Sequence, residues 1–150
     1  MLIRYLLALV LTVGLMSAAM AAGSTSSSKP SQLEVAEKEI KAGNYHRAIE
    51  LLQMTVASDS QNADAWNLLG FSQRKLKRFD QAFSAYQKAL AIDPEHRGAN
   101  EYLGELYLQT GRLAKAKERL KKLDDVCFFG CEEFDDLKQA IKVYKARHKS

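Results

Sequence analysis

The stretch of sequence that decides the fold runs from Trp66 to Pro94 and reads WNLLGFSQRKLKRFDQAFSAYQKALAIDP. It contains two apolar segments that are joined by a short polar turn and closed by a proline. Proline disfavours a helical conformation at the residue before it, so the second segment should stop being helical at Asp93. The stretch therefore predicts a hairpin of two helices.

The same hairpin recurs before and after this stretch at a constant step of about 34 residues, which indicates a repeat architecture. Residues of one size class coincide at that step: Ala48, Ala82 and Ala116; Leu52, Tyr86 and Leu120; Val35, Leu69 and Leu103; Ala36, Gly70 and Gly104. A single helix pair cannot bury its apolar face alone, so stacked copies should bury it together. We therefore predict an all-α fold, an α-solenoid of three helix-turn-helix repeats. The predicted helices are 31–42, 45–57, 63–76, 79–92, 96–109 and 113–126, followed by 132–147.

Several residues explain where the predicted helices begin and end. Ser31-x-x-Glu34 is a capping box, and Asn62 can accept a hydrogen bond from the first turn of the third helix. Gly43 and Gly111 suit the turn that follows a helix end. Inside each hairpin, we expect Gly70 and Gly104 to let the second helix approach the first closely, with Trp66 in the core.

The C-terminal segment 132–147 predicts a capping helix. Its charges complement the helix dipole, since acidic residues open it and basic residues close it. Phe134, Leu137, Ile141 and Tyr144 form one apolar stripe at helical spacing, which can cover the end of the last repeat. We expect Phe128 and Phe129 to be core residues beneath this helix.

Trp66-x-x-Leu69-Gly70, Ala82, Tyr86, Ala89 and Pro94 resemble the tetratricopeptide repeat pattern, which has the same period. Leu103-Gly104-x-x-Tyr107 continues the resemblance in the next copy. The repeats would occupy about 29–62, 63–96 and 97–130. The first copy departs from the pattern, with Gln32 at the tryptophan position and Glu39 at the tyrosine position, as suits a terminal cap.

The resemblance implies that the first helix of each repeat lines a concave groove where a peptide or protein binds. By position, the lining would be Leu33, Glu37, Ile40, Lys41, Asn67, Phe71, Arg74, Lys75, Glu101, Glu105 and Leu108. Some relatives clamp a C-terminal carboxylate with lysine and asparagine. Leu33 and Glu37 stand at the first two of those positions, so the sequence does not support that mode.

The N-terminus has the features of a secretory signal peptide. Arg4 precedes the apolar run Tyr5 to Met16, and Ala19-Met20-Ala21 fits a cleavage site. We predict a signal peptide at 1–21, a flexible linker at 22–30 and the repeat domain at 31–147. The protein would then be a small exported bacterial protein, periplasmic or secreted, with no membrane span after cleavage. The alternative is an uncleaved N-terminal membrane anchor, for which the run is short.

Cys127 and Cys131 leave three alternatives open. An oxidising compartment permits a structural disulfide, worth about 2 kcal/mol in the chain-entropy model for so small a loop. Two reduced, buried thiols are the second alternative. Redox chemistry or a metal is the third, although His46, His96 and His148 have no metal-ligand spacing and read as surface residues.

The remaining sequence offers no catalytic, cofactor or metal motif. The net charge of +4 is mild and acids alternate with bases, which argues against nucleic acid as a partner. The basic run between Arg112 and Lys122 reads as a solvated face, with contact to an anionic surface as the alternative. We therefore hypothesise a non-enzymatic interaction adaptor of the bacterial cell envelope. The alternatives are a self-assembling envelope scaffold, which includes weak self-association, and a thiol/disulfide redox protein acting through the two cysteines.

Overall fold

The structure, a computed structural model, describes residues 30–148. The predicted signal peptide and nearly all of the predicted linker lie outside these residues. In the described part of the chain all regular structure is helical. The helices are α1 (Gln32–Lys41), α2 (Tyr45–Ser58), α3 (Ala63–Lys75), α4 (Phe79–Ile92), α5 (Arg97–Gln109), α6 (Leu113–Val126) and α7 (Glu132–Arg147). The predicted all-α repeat fold with a final helix is thus confirmed.

The helix ends follow from local hydrogen bonds. The Ser31 hydroxyl accepts from the backbone N–H of Glu34, and the Glu34 carboxylate accepts from the backbone N–H of Ser31 at 2.7 Å. The Asn62 side chain accepts from the backbone N–H of Ala65 at 2.9 Å. These three side chains satisfy backbone donors that a helix start leaves without an intrahelical partner.

The turn inside each hairpin places one residue in the left-handed backbone region. Gly43 and Gly111 have φ of +78° and +75°. Lys77 stands at the equivalent point of the middle repeat and has φ of +58°. A side chain makes this conformation costly, by roughly 1–2 kcal/mol, so the middle turn carries a local strain that its neighbours avoid.

The seven helices form two layers. α1 packs on α2, α3 on α4 and α5 on α6, and each hairpin stacks on the next along the chain. α7 packs on α5 and α6, so it occupies the place that the first helix of a fourth hairpin would have. The surface formed by α1, α3, α5 and α7 is here called the inner face.

Close packing inside the middle hairpin depends on Gly70. A Cβ atom on Gly70 would lie 2.7 Å from two ring carbons of Tyr86, which is fully buried. The expectation for Gly70 is therefore confirmed. The expectation for Gly104 was wrong, because its close neighbour is Leu137 of α7, 2.5 Å from the equivalent Cβ position. In the last repeat the small residue admits the capping helix.

Trp66 packs against the core but is only partly buried. Its indole N–H donates to the carbonyl of Ser60 at 3.0 Å, and the Lys88 ammonium lies 4.2 Å from the ring centroid. The polar tip of the indole therefore finds a partner while its ring covers apolar neighbours.

The prediction that Phe128 and Phe129 are core residues was wrong. Phe128 is 88% exposed and Phe129 fully exposed. α7 already buries Leu137 and Ile141 against the last repeat, in one cluster with Leu123. The turn that carries the phenylalanines lies past the end of α6, where no neighbouring helix of the described chain covers it. This turn is closed by a disulfide between Cys127 and Cys131, whose Cα atoms are 5.7 Å apart.

The interpretation of His96 as a surface residue was also wrong. Its side chain is only 12% exposed and caps α5, where the ring Nδ1 accepts from the backbone N–H of Ala99 at 3.2 Å. The other ring nitrogen lies 3.0 Å from a carboxylate oxygen of Asp64. His96 stands one full repeat after Asn62 and has the same capping role in the next hairpin.

Candidate functional site

A cavity of about 680 Å³ opens on the inner face between α3, α5 and α7. α3 contributes Arg74 and Lys75, and α5 contributes Glu105, Leu108 and Gln109. The opposite wall belongs to α7 and consists of Gln139, Ala140, Val143, Tyr144, Arg147 and His148. The cavity thus combines apolar surface with charged side chains.

Arg74 is the structural centre of this site. Its side chain is only 5% exposed, and its guanidinium forms an ion pair with the Glu105 carboxylate at 2.6 Å. The guanidinium carbon lies 5.5 Å from the Phe71 ring centroid and 5.6 Å from that of Tyr102. A buried charge is tolerated only with such partners, and these hold the guanidinium in a fixed orientation.

Two further cations border the cavity. The Lys75 ammonium lies 5.0 Å above the Phe71 ring, and Arg147 ends α7 on the opposite wall. Neither forms an ion pair with any residue that the structure describes. Because Glu105 is the one acid in the lining and already pairs with Arg74, the cavity presents net positive charge.

An acidic cluster lies next to the cavity, where α5 meets α7. Burial raises the pKa of Glu101 to about 8, and repulsion by Glu105, Asp136 and Glu133 adds to this effect. Arg74 acts in the opposite direction without cancelling it. The Glu101 carboxyl group is therefore largely neutral at pH 7.

Asn67 occupies on α3 the position that Glu101 has on α5, one repeat later. It is buried, and its amide oxygen has no hydrogen-bond partner among the described residues. A buried acceptor without a donor costs about 1–3 kcal/mol.

The structure gathers only part of the predicted groove at the cavity. Arg74, Lys75, Glu105 and Leu108 line it. The cationic groups of Arg74 and Lys75 both lie over the Phe71 ring. Asn67 and Glu101 are buried and do not line it. The predicted α1 residues lie elsewhere on the inner face; Glu37 and Lys41 are exposed, whereas Leu33 and Ile40 pack against the core.

The α7 wall is the part of the site that the sequence interpretation missed. A further step of 34 residues along the sequence identifies this wall, because it aligns Gln139 with Glu105, and Val143 with Gln109. Helix 132–147 was interpreted only as a cap because its apolar stripe explained it fully.

Comparison with known proteins adds the following. Two models of the tetratricopeptide repeat family match residues 36–97 and 73–126. Tetratricopeptide repeat protein 37 of Xenopus laevis is 31% identical over 75 residues, half of this chain and 5% of that protein. The PEX5-related protein of Homo sapiens is 28% identical over 92 residues, 61% of this chain and 15% of that protein. The chain thus spans a small fraction of these curated relatives.

Solved structures show the same fold at low identity. The type III secretion translocator chaperone SycD of Yersinia enterocolitica has a TM-score of 0.71 and 18% identity, over 79% of this chain and 84% of that one. The second repeat domain of human RPAP3, in complex with the HSP70 peptide SGPTIEEVD, has a TM-score of 0.65 and 21% identity. That match covers 73% of this chain and 92% of that one.

Proposed function

Because the chain belongs to the tetratricopeptide repeat family, we propose that it is a non-enzymatic adaptor that binds a peptide segment of a partner protein. The binding site is the cavity between α3, α5 and α7. The observation that carries this proposal is the fixed Arg74 guanidinium beside two aromatic rings, in a cavity with cations on both sides that pair with no described residue.

The lining selects the chemistry of the bound segment. Lys75 and Arg147 can pair with a carboxylate, and charge-assisted hydrogen bonds of this kind are about twice as strong as neutral ones. Leu108, Ala140 and Val143 offer apolar contact beside them. We propose a peptide that carries an acidic group next to an apolar side chain. The human RPAP3 domain, whose peptide ligand SGPTIEEVD ends in two glutamates, valine and aspartate, gives a precedent for the fold.

We further propose that the adaptor works in the bacterial cell envelope, periplasmic or secreted, after removal of residues 1–21. The composition of these residues supports this proposal, because a short apolar run ends in small residues. Mass measurement of the protein from its host checks it. An N-terminus at Ala22 is expected, whereas a retained Met1 would return the anchor interpretation.

Site-directed photo-crosslinking tests the binding site. A photoreactive amino acid at Gln109, which is exposed and lines the cavity, should capture one partner from the host's envelope fraction. The same amino acid at Lys117, exposed on α6, should capture none of it. Lys75→Glu should lower the yield at Gln109 about tenfold, because an attractive contact becomes repulsive.

Lys117→Glu is the matched control, since it changes the net charge equally on the opposite layer. Its crosslinking yield at Gln109 should equal that of the unmodified protein. Equal capture from Gln109 and Lys117, or a yield that Lys75→Glu leaves unchanged, would place the binding site elsewhere.

A further inference from the structure

α7 exposes a second face, which lies outside the cavity and carries its charges in two blocks. Its acidic residues come first along the helix and its lysines follow. The exposed members of this stripe are Glu132, Asp135, Lys138, Lys142 and Lys145. In the described part of the chain α7 packs only on α5 and α6, and neither covers this face.

Such a stripe is complementary to itself in the antiparallel direction. Two copies of α7 can be aligned in antiparallel so that Lys142 of each lies opposite Glu132 of the other. This pair occurs twice in the dimer. The same register also places Asp135 opposite Gln139. An interface in which residue i meets j and j meets i is isologous and closes as a two-fold dimer.

The antiparallel arrangement also determines where the exposed phenylalanines lie. The turn that precedes α7 in one copy comes beside the C-terminal end of α7 in the other. A cleft of about 920 Å³ runs there between α6 and α7, with Leu120 and Ile141 in its lining. Two adjacent, nearly fully exposed phenylalanines are uncommon on a monomer, and contact with apolar surface removes them from water.

We propose that the chain forms an antiparallel dimer through α7, in which Phe128 and Phe129 of each copy enter the cleft between α6 and α7 of the other. The contact involves one helix and one turn per copy, so it belongs to the small and weak class of protein–protein interfaces. It does not depend on the cavity of the inner face.

The charges around the turn favour a second copy over an anionic surface. Asp124 and Asp125 precede the phenylalanines, and Glu132 and Glu133 follow them. A negatively charged membrane would repel these four carboxylates, whereas the lysines at the end of a partner's α7 would attract them.

A charge swap tests the proposed register. Sedimentation velocity of the protein produced from its full sequence, at concentrations from about 5 to about 500 µM, gives the dimer dissociation constant. Lys142→Glu should raise this constant about tenfold, because two attractive pairs become two repulsive ones. Glu132→Lys should do the same. The double variant should return to within about threefold of the unmodified protein, since both pairs are restored with reversed sign.

Mixing gives a second test that is independent of stability. Neither single variant should dimerise well alone, but an equimolar mixture should form a heterodimer that brings the unmodified Lys142 of one copy against the unmodified Glu132 of the other. Phe128→Ser with Phe129→Ser should weaken the dimer as well. Lys117→Glu, with an equal change in charge on α6, should leave the constant unchanged.

The proposal fails if the protein stays monomeric over the whole concentration range. It also fails if the single variants dimerise like the unmodified protein, or if neither the double variant nor the mixture restores association. Circular dichroism of each variant should show unchanged helix content, and a variant that loses helix is replaced by Lys142→Gln or Glu132→Gln, which removes the attraction without adding repulsion.

Discussion

Replacement of Glu101 by Gln should remove a large part of the pH dependence of stability. Glu101 is buried where α5 meets α7, close to three other carboxylates and to Arg74. Its pKa is about 8 in the folded protein and 4.5 ordinarily, so folding favours the protonated form. The contribution to stability is therefore fully present below pH 4.5 and is lost as the pH rises through 8. Glutamine keeps the shape of the neutral acid and cannot ionise.

The shift in pKa from 4.5 to about 8 sets the upper limit of the effect. At about 1.4 kcal/mol for each pH unit, the full difference is about 5 kcal/mol above pH 8. Burial is the largest cause of the shift, and the repulsion that adds to it is screened by solvent, since Asp136 is exposed and Glu105 partly exposed. We expect Glu101→Gln to exceed the unmodified protein in free energy of unfolding by about 1–2 kcal/mol at pH 9, and to match it near pH 4.5.

Urea unfolding at half-unit steps from pH 4.5 to 9 measures this difference. Subtracting the free energy of unfolding of the unmodified protein from that of Glu101→Gln at each pH cancels the contributions of the histidines and of all other groups that titrate in both proteins. Glu37→Gln, an exposed change on α1, is the matched control and should show no difference at any pH. A difference between Glu101→Gln and the unmodified protein that stays constant with pH would refute the reasoning.

Three further substitutions test the packing of the repeats by urea unfolding. Lys77→Gly should raise the free energy of unfolding by about 0.5 kcal/mol, because relief of the left-handed conformation outweighs the added freedom of the unfolded chain. Gly70→Ala should lower it by about 2 kcal/mol, since the added methyl group meets the buried Tyr86 ring. Asn100→Ala should lower it by about 2 kcal/mol, because the Pro94 carbonyl and the Arg119 guanidinium lose their partner. A gain for Gly70→Ala, or no change for Asn100→Ala, would contradict this account of the packing.

The fold could be predicted from the sequence because the same physical requirement returns once in every repeat. A small residue such as Gly70 and a large one such as Tyr86 together indicate one contact between two helices. Residues of matching size recur at the same positions in the other copies. The starts of α1 and α3 could be predicted equally well, because Ser31 and Asn62 are common capping residues. His96 was missed because a histidine cap is less frequent, although its position in the period matched that of Asn62.

The site was less predictable, because its geometry depends on α7. The repeat pattern placed Arg74, Lys75 and Glu105 on one face, but it could not show that Arg147 closes the cavity from the other side. Burial was the second difficulty. Asn67 and Glu101 are polar residues at groove positions, and only the packing of α5 against its neighbours shows that they are covered.

The prediction that Phe128 and Phe129 are buried was wrong for a related reason. Burial statistics describe phenylalanine in general and cannot say whether a neighbour exists to cover it. Phe128 and Phe129 follow the last residue of α6, and the disulfide holds the chain in a tight turn there. Their exposure depends on which helices of the described chain lie near this turn, which no local pattern encodes.

The two faces of α7 make a last prediction that joins both proposals. Val143, Tyr144 and Arg147 face the cavity, whereas Lys138, Lys142 and Lys145 lie along the other stripe. A dimer through the second stripe therefore leaves both cavities open, so one dimer could hold two segments of one partner at once. Lys142→Glu should accordingly leave crosslinking from Gln109 unchanged for a monovalent peptide, and reduce it only for a partner with two binding segments. Loss of monovalent capture in Lys142→Glu would mean that the stripe and the cavity are one site rather than two.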